Sequence, residues 1–375
     1  MSTRITEVRT PGKLYIAGEY AVVEPGYPAV LVAVDRYITV RVSPASTDTG
    51  HITSDQNAGS RLEWYRRDGH MLIAPDQDQF SFVLSAVRIV EEAAVELGAP
   101  LQVYDLDITS ELDDDSGRKF GLGSSAAVTV ATVRALCEHY RLDLTRMEQL
   151  KLALLASIGV QRSGSGGDVA ASMFGGWIAY TSFDRDWART EQARRPLLDL
   201  LRADWPGLSV RRVVPPDHLR LLVGWTGSPA STSRLVDDVQ SHKGTDAAWS
   251  YAGFLADSRA CVEAFVAALD ADDTEGVLAG IRCNRTLLHE LGEHTGTTIE
   301  TPTLRRLIES AEDHGGAAKT SGAGGGDCGI VLISESSPID DLLAVWERAD
   351  IRLLNLHEHR PDDDGSAGLE AGGSF

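Results

Sequence analysis

One glycine-rich segment in the middle of the chain constrains the fold more than any other feature. Residues 119–128 read KFGLGSSAAV, so that two glycines precede two serines and a run of small apolar residues. Glycine permits backbone conformations with positive φ, and serine is favoured where a helix begins. Apolar side chains follow at helical spacing at Val130, Val133, Leu136 and Cys137. We therefore predict a tight loop that leads into a helix N-terminus with unpaired N–H groups.

A loop of this kind is suited to bind an anion, because the helix dipole and the unpaired amides both favour phosphate. The segment differs from the common phosphate loop GxxxxGK[ST], since Lys119 precedes the glycines instead of following them. It also departs from the dinucleotide-binding fingerprint, because Ala126 stands where the last glycine is expected. The segment alone therefore predicts a polyphosphate site, with an ordinary glycine turn before a helix as the alternative.

Composition narrows the possible partners. The chain of 375 residues is 43% hydrophobic, which is enough to bury two cores, and its formal net charge is −20. Nucleic acid is an unfavourable partner for such a chain, because two polyanions repel each other. No apolar run approaches the ~20 residues of a membrane span, and the first ten residues lack the apolar core of a signal peptide. We expect a cytoplasmic protein without a nucleic-acid or membrane partner, and both monomer and homodimer stay open.

The patterns along the rest of the chain predict alternating α and β elements. Strands are expected within 4–43, a hairpin with its turn at Asp68-Gly69, a helix over 80–97 and a strand over 103–108. Thr145 and Glu148 form a capping box at the start of a second helix. In the second half, long helices are predicted over 247–269, 273–294 and 302–314. The four cysteines contain no CxxC pair, so we expect free thiols.

Two further glycine-containing segments lie near the ends of the chain. Residues 11–20 read PGKLYIAGEY, and residues 321–329 read SGAGGGDCG. Together with the central segment, they resemble in order and spacing the three signature motifs of the GHMP small-molecule kinases, the superfamily of galactokinase, homoserine kinase, mevalonate kinase and phosphomevalonate kinase. Within it, KFGLGSS, GSGGDVAAS and SGAGGGDCGI resemble the phosphomevalonate kinases. Mevalonate kinases more often carry GAGLGSSAA, and a glycine where Asp327 stands.

The resemblance implies a fold and a reaction. The implied fold is a two-domain α+β fold, with a left-handed βαβ-type N-terminal domain, a ferredoxin-like C-terminal domain and the active site in the cleft between them. We accordingly predict an ATP-binding domain over residues 1–190, a second domain over 191–358 and a disordered tail over 359–375. The implied substrates are ATP and mevalonate 5-phosphate, with Mg²⁺, and the implied product is the 5-diphosphate.

The resemblance also implies site residues. Lys13, Asp168 and Lys119 are the candidate catalytic residues. The expected nucleotide-binding residues form the central loop: Gly121, Leu122, Gly123, Ser124, Ser125 and Ala126. Of these, Ser124 or Ser125 would help to hold Mg²⁺. The expected substrate contacts are Lys13, Ser165, Ser231, Ser321, Gly322 and Ala323. Glu19 matches the first motif but receives no role.

Plainer interpretations and different functions stay open at this point. Lys13 would otherwise be an exposed lysine, Asp168 a residue that favours a helix N-terminus, and the loop around Ser231 a helix cap. A mevalonate kinase would give Asp168 a stronger claim as a base, because its acceptor is an alcohol. The chain could also be a diphosphomevalonate decarboxylase, another GHMP small-molecule kinase, or a catalytically dead paralogue that binds a metabolite.

Overall fold

The computed structural model describes residues 5–56, 60–73, 78–114, 116–161, 163–227, 232–241 and 249–360. Two predictions fall outside these ranges, namely the substrate contact at Ser231 and the disorder of the tail beyond residue 360.

The first half of the chain forms a mixed β-sheet. Its strands are β1 (Thr6–Ala17), β2 (Pro28–Pro44), β3 (Thr49–Ser54), β4 (Arg61–Arg67), β5 (His70–Ile73), β6 (Tyr104–Ser110), β7 (Trp177–Thr181) and β8 (Ser209–Val213). Among the described residues the strand order is β5-β4-β3-β6-β2-β7-β8, and β1 pairs with β2. The long strand β2 pairs with β1 along one edge, whereas β6 and β7 occupy the two ends of its other edge. This central position buries β2 and fixes the first motif, which lies on β1, beside it.

The first half of the chain also contains helices. They are α1 (Ser81–Glu96), α2 (Ser124–Tyr140), α3 (Arg146–Val160), α4 (Gly167–Phe174), α5 (Arg185–Gln192) and α6 (Leu197–Arg202). Helix α2 buries Val130, Val133 and Leu136, which are residues of the predicted apolar stripe. The predicted capping box of Thr145 and Glu148 is present at the start of α3. These agreements arise because local signals, apolar periodicity and capping, determine these elements.

The second half forms a smaller antiparallel sheet with its own helices. Its strands are β9 (Leu219–Trp225), β10 (Ala317–Ser321), β11 (Cys328–Ser334) and β12 (Arg352–Leu354). Its helices are α7 (Thr232–Ser241), α8 (Tyr251–Asp270), α9 (Thr274–Thr295), α10 (Pro302–Asp313) and α11 (Asp340–Arg348). Within the described ranges the strand order is β10-β11-β9-β12, which is the order of the expected ferredoxin-like arrangement. The third motif is the loop between β10 and β11.

The two halves share a buried core. One hydrophobic cluster includes Val32 from the first sheet together with Val223 and Ile330 from the second. The end of the described chain also returns to the first sheet, where His359 N donates to Ala33 O at 2.9 Å. Strand β8 lies beyond residue 190, yet it pairs with β7 of the first sheet. The predicted domain division at residue 190 is therefore not visible as a break in the sheet, and it stays a prediction.

Two expectations from composition concern the chain as a whole. The four cysteines are free thiols. Within the described ranges, none of the helices is long and apolar enough to cross a membrane.

Candidate active site

A cleft of about 370 Å³ lies where the three glycine-containing segments meet. Twelve of the predicted site residues line it: Lys13, Lys119, Gly121, Leu122, Gly123, Ser124, Ser125, Ser165, Asp168, Ser321, Gly322 and Ala323. Ala126 is buried behind the central loop and lines an adjoining cavity of about 40 Å³. Ser231 lies outside the described residues. The fold therefore brings residues from both ends of the chain to the central loop.

The central loop presents the start of α2 to the cleft. Gly123, with φ of 81°, is the residue before the helix, and Ser124 is its first residue. In the described part of the chain, no side chain caps this end of α2. The helix therefore keeps backbone N–H groups without a side-chain partner next to the cleft, which is the arrangement that favours an anionic ligand.

Lys13 lies against this loop. Its side chain is 8% exposed, and its Nζ atom donates to Gly121 O at 3.3 Å. Its backbone N–H also donates to Leu122 O at 2.9 Å. A side chain at position 123 would be strained by the positive φ, and its Cβ would lie 2.7 Å from Cε of Lys13. Glycine at 123 therefore leaves the space through which the ammonium group reaches the cleft.

A second helix start, that of α4, also lies at the cleft. Ser165 lies just before it, and its Oγ accepts a hydrogen bond from Gly167 N at 3.2 Å and lies 2.8 Å from the hydroxyl of Tyr15. Burial, together with the negative charge of Asp168, raises the pKa of Tyr15 well above its usual value. Tyr15 therefore stays protonated at neutral pH and acts as a hydrogen-bond partner rather than a base. Asp168 lines the cleft, and its Oδ1 accepts from Val169 N at 3.0 Å.

The third glycine loop (residues 321–327) is attached to the first motif by side chains from both sides. Ser321 Oγ accepts from Tyr15 N at 3.0 Å and donates to Tyr15 O at 2.9 Å. Two residues further along, the hydroxyl of Tyr20 donates to Ala323 O at 2.6 Å. The positions of the predicted substrate contacts in this loop are therefore determined by the segment that carries Lys13.

Lys119 and its neighbour Arg118 have different surroundings. The Arg118 guanidinium makes two hydrogen bonds to Asp114 Oδ2, at 2.9 and 3.1 Å, and lies 5.0 Å from the ring centroid of Trp225. Lys119 is exposed and lines the cleft. Lys119 is therefore the cation of this segment that lines the cleft, and its role toward a ligand stays a prediction.

Three carboxylates also line the cleft: Glu19, Asp168 and Asp327. Asp327 touches the central loop, since a Cβ at Gly121 would lie 2.9 Å from its Oδ2. Among the described residues, no group of three or more His, Cys, Asp or Glu side chains is arranged to hold a metal ion. Mg²⁺ fits this donor set if it is shared with substrate phosphates, because it prefers oxygen ligands and keeps few protein ones. Ser124, Ser125, Asp168 and Asp327 offer such oxygens.

Arg185 and Lys319 are site-supporting residues that sequence reasoning missed. Arg185, the first residue of α5, donates to Gly164 O at 2.9 Å and to Val23 O at 2.7 Å, and both acceptor residues line the cleft. Burial lowers the pKa of Arg185. Lys319 lies on β10 and forms a buried ion pair with Glu19. No local sequence pattern marks either residue, because each supports the cleft wall through contacts with distant segments of the chain.

Comparisons with known proteins agree with this geometry. Residues 81–176 match the N-terminal domain of the GHMP kinases, and residues 265–351 match the GHMP kinase C-terminal family. The chain is 45% identical over 358 residues to the phosphomevalonate kinase of Streptomyces sp. (strain CL190), covering 92% of this chain and 95% of that protein. The chain belongs to the GHMP kinases. The mevalonate kinase of Pyrococcus horikoshii is a more distant relative, 29% identical over 86% of this chain and 87% of its own.

Solved structures match the whole architecture. Streptococcus pneumoniae phosphomevalonate kinase, in complex with phosphomevalonate and AMPPNP, has a TM-score of 0.82 and 30% identity over 94% of this chain and 99% of its own. A Lin0012 protein from Listeria innocua has a TM-score of 0.89 and 38% identity, covering 95% of this chain and 98% of its own. The chain therefore has the two-domain α+β fold of the GHMP kinases, as the three motifs predicted.

Proposed function

We infer that this GHMP kinase transfers the terminal phosphoryl group of ATP to (R)-5-phosphomevalonate and forms (R)-5-diphosphomevalonate, a step of the mevalonate pathway of isoprenoid biosynthesis. The observation that carries this assignment is the 45% identity to a phosphomevalonate kinase over nearly the whole chain. The cleft supports it, because Lys13, Asp168 and the uncapped start of α2 meet there.

The chemistry of the acceptor determines whether the reaction needs a general base. A phosphate monoester has a second pKa near ~6, so most of it is dianionic at neutral pH and already nucleophilic. Proton abstraction is therefore a minor requirement, and catalysis rests on alignment and on neutralisation of converging negative charge.

The nucleotide phosphates are assigned to the central loop. The N–H groups of residues 121–125 at the start of α2 donate to phosphate oxygens. Lys13, whose Nζ lies 3.3 Å from Gly121 O, stands beside that loop and stabilises the phosphoryl group in transfer. Oxygens of Ser124, Ser125, Asp168 or Asp327 would hold Mg²⁺ together with the phosphates, and the ion would supply neutralisation of the developing charge.

Asp168 is assigned an orienting role. A carboxylate beside a dianionic nucleophile is unfavourable unless a cation pairs with it, and Lys13 lines the same cleft. We therefore assign Asp168 to holding Lys13 and the acceptor in line, rather than to removing a proton. Tyr15, which stays protonated, holds Ser165 at the acceptor side.

The acceptor phosphate is assigned to Lys119, Ser165 and the third glycine loop. Among the described residues, the cations that line the cleft are Lys13 and Lys119. Lys13 already donates a hydrogen bond to Gly121 O in the central loop. Lys119 is exposed and supplies the charge-assisted hydrogen bond that a second phosphate demands. Ser321, Gly322 and Ala323 complete the contacts from the opposite side.

Product analysis tests this function. The protein is incubated with ATP, Mg²⁺ and mevalonate 5-phosphate, and the mixture is followed by ³¹P NMR. We expect a phosphomonoester signal to be replaced by the two signals of a diphosphate, in step with ADP formation. Release of CO₂ from mevalonate 5-diphosphate would instead show a decarboxylase.

A further inference from the structure

We propose that Glu19 is a positioning residue of this reaction, which holds the third glycine loop (residues 321–327) over the acceptor through its buried ion pair with Lys319. The proposal rests on the proposed function for its kinetic consequences. It assigns Glu19 no part in proton transfer or metal binding, although its carboxylate lines the cleft.

The partners of Glu19 occupy both of its carboxylate oxygens. Oε1 accepts from the ammonium group of Lys319 and from Gly322 N, the latter at 3.3 Å. In the amide orientation that satisfies both groups, Asn284 donates to Oε2 at 2.9 Å and accepts from Gly18 N at 3.2 Å. These three donors leave the Glu19 carboxylate little capacity to bind a metal ion.

Burial makes the ion pair obligatory. Glu19 is 3% exposed and Lys319 is fully buried. Lys319 also donates to Thr320 O at 2.6 Å. Burial lowers the pKa of Lys319, and the negative charge of Glu19 opposes this shift. Removal of either partner would leave an uncompensated charge inside the protein, so each residue holds the other in place.

The ion pair completes a series of contacts between two motifs. Ser321 is bonded to Tyr15 on β1, Gly322 to Glu19, and Ala323 to Tyr20. Three consecutive residues of the loop are thus bonded to one six-residue segment of the first motif. Lys319 lies two residues before this series, in the middle of β10, and fixes the Glu19 side chain that contacts Gly322. Loss of the pair would release Gly322 while the flanking contacts persist.

Kinetics of matched variants test the proposal. Glu19→Gln, Lys319→Met and the double variant are compared with Glu91→Gln, which breaks the ion pair of the buried Glu91 with the partly buried Arg66, away from the cleft. Both single variants should lower kcat/KM for mevalonate 5-phosphate by about ten- to a hundredfold, because small misplacements are costly in phosphoryl transfer. The KM for ATP should change less than about twofold. The double variant should resemble one single variant rather than multiply their losses.

Two controls separate positioning from a direct role. The Mg²⁺ concentration for the half-maximal rate and the pH profile of kcat should match the wild type in both single variants. A change in either that appears in Glu19→Gln and not in Lys319→Met would overturn the proposal in favour of a metal ligand or a base. Multiplicative losses in the double variant, or equal losses in Glu91→Gln, would overturn it as well.

A measurement made without substrate tests the positioning role of Glu19 independently of the proposed function. Hydrogen exchange of peptides that cover residues 317–327 should be faster in Glu19→Gln and Lys319→Met than in Glu91→Gln. If the single variants fail to fold, Asn284→Ala keeps the ion pair and removes one donor to Oε2, and it should show the same signature more weakly. Unchanged exchange in these variants would refute the positioning role. If the wild-type protein does not turn over mevalonate 5-phosphate, the proposed function is refuted but the positioning role of Glu19 is not.

Discussion

The hydroxyl group of Tyr15 lies 2.8 Å from Oγ of Ser165, so a residue of the first motif supports the cleft wall at the start of α4. Tyr15→Phe removes this bond and keeps the buried ring. We expect the KM for mevalonate 5-phosphate to rise by about three- to tenfold, the effect of one lost hydrogen bond, with the KM for ATP unchanged. Steady-state kinetics with each substrate varied in turn measure this. Equal increases in both KM values would show a general loss of structure instead.

Asp168→Asn tests the orienting carboxylate at the start of α4. Asparagine can still accept from Val169 N, so the helix start and the folded state should be preserved. We expect kcat to fall by about a hundredfold, because alignment of Lys13 and the acceptor is lost, and ATP affinity to change little. Rapid-quench kinetics and nucleotide titration measure the two quantities. A near-normal kcat would reduce Asp168 to a helix-start residue.

Lys119→Met tests how the acceptor phosphate is recognised. We expect kcat/KM for mevalonate 5-phosphate to fall by about tenfold, with the KM for ATP affected less, because one charge-assisted hydrogen bond is lost. Arg118→Met is the matched control, since it changes the net charge equally but removes a guanidinium already paired with Asp114. If both variants lose activity to the same extent, the loss comes from the change in net charge rather than from a direct contact between Lys119 and the acceptor phosphate.

Arg185→Met tests the support behind the cleft. It removes the hydrogen bonds to Gly164 O and Val23 O, so the backbone of two cleft-lining segments loses a shared anchor. We expect the acceptor KM to rise by about tenfold and the free energy of unfolding to fall by about 2 kcal/mol. Arg189→Met on the same helix, whose guanidinium contacts Ile158 O, should leave the acceptor KM unchanged. Denaturant titration and steady-state kinetics measure both effects.

Local signals predicted much of this molecule. The apolar stripe of α2, the capping box at Thr145 and the glycines before Ser124 each reflect the backbone within a few residues, so the sequence alone revealed them. The family resemblance also predicted which residues would meet, and twelve of those residues line the cleft. Their individual roles stay predictions until the variants above are measured.

Contacts between distant segments could not be predicted in the same way. Lys319 is a lysine in a short strand, and nothing in the neighbouring sequence indicates that it is fully buried against Glu19. The two bonds of Arg185 to backbone carbonyls depend on where the chain folds back, which no local pattern encodes. Strand β8 joins the first sheet from beyond the predicted domain boundary for the same reason. Supporting residues are therefore harder to predict than motif residues.

The most direct test of the account measures ADP release with mevalonate, mevalonate 5-phosphate and mevalonate 5-diphosphate in parallel, each with ATP and Mg²⁺. We expect a kcat/KM for the 5-phosphate that exceeds the values for mevalonate and the 5-diphosphate by at least about a hundredfold, since mevalonate lacks the phosphate assigned to Lys119 and the 5-diphosphate is one phosphate group longer than the assigned acceptor. Preferred turnover of free mevalonate, or consumption of the 5-diphosphate with release of CO₂, would contradict the account.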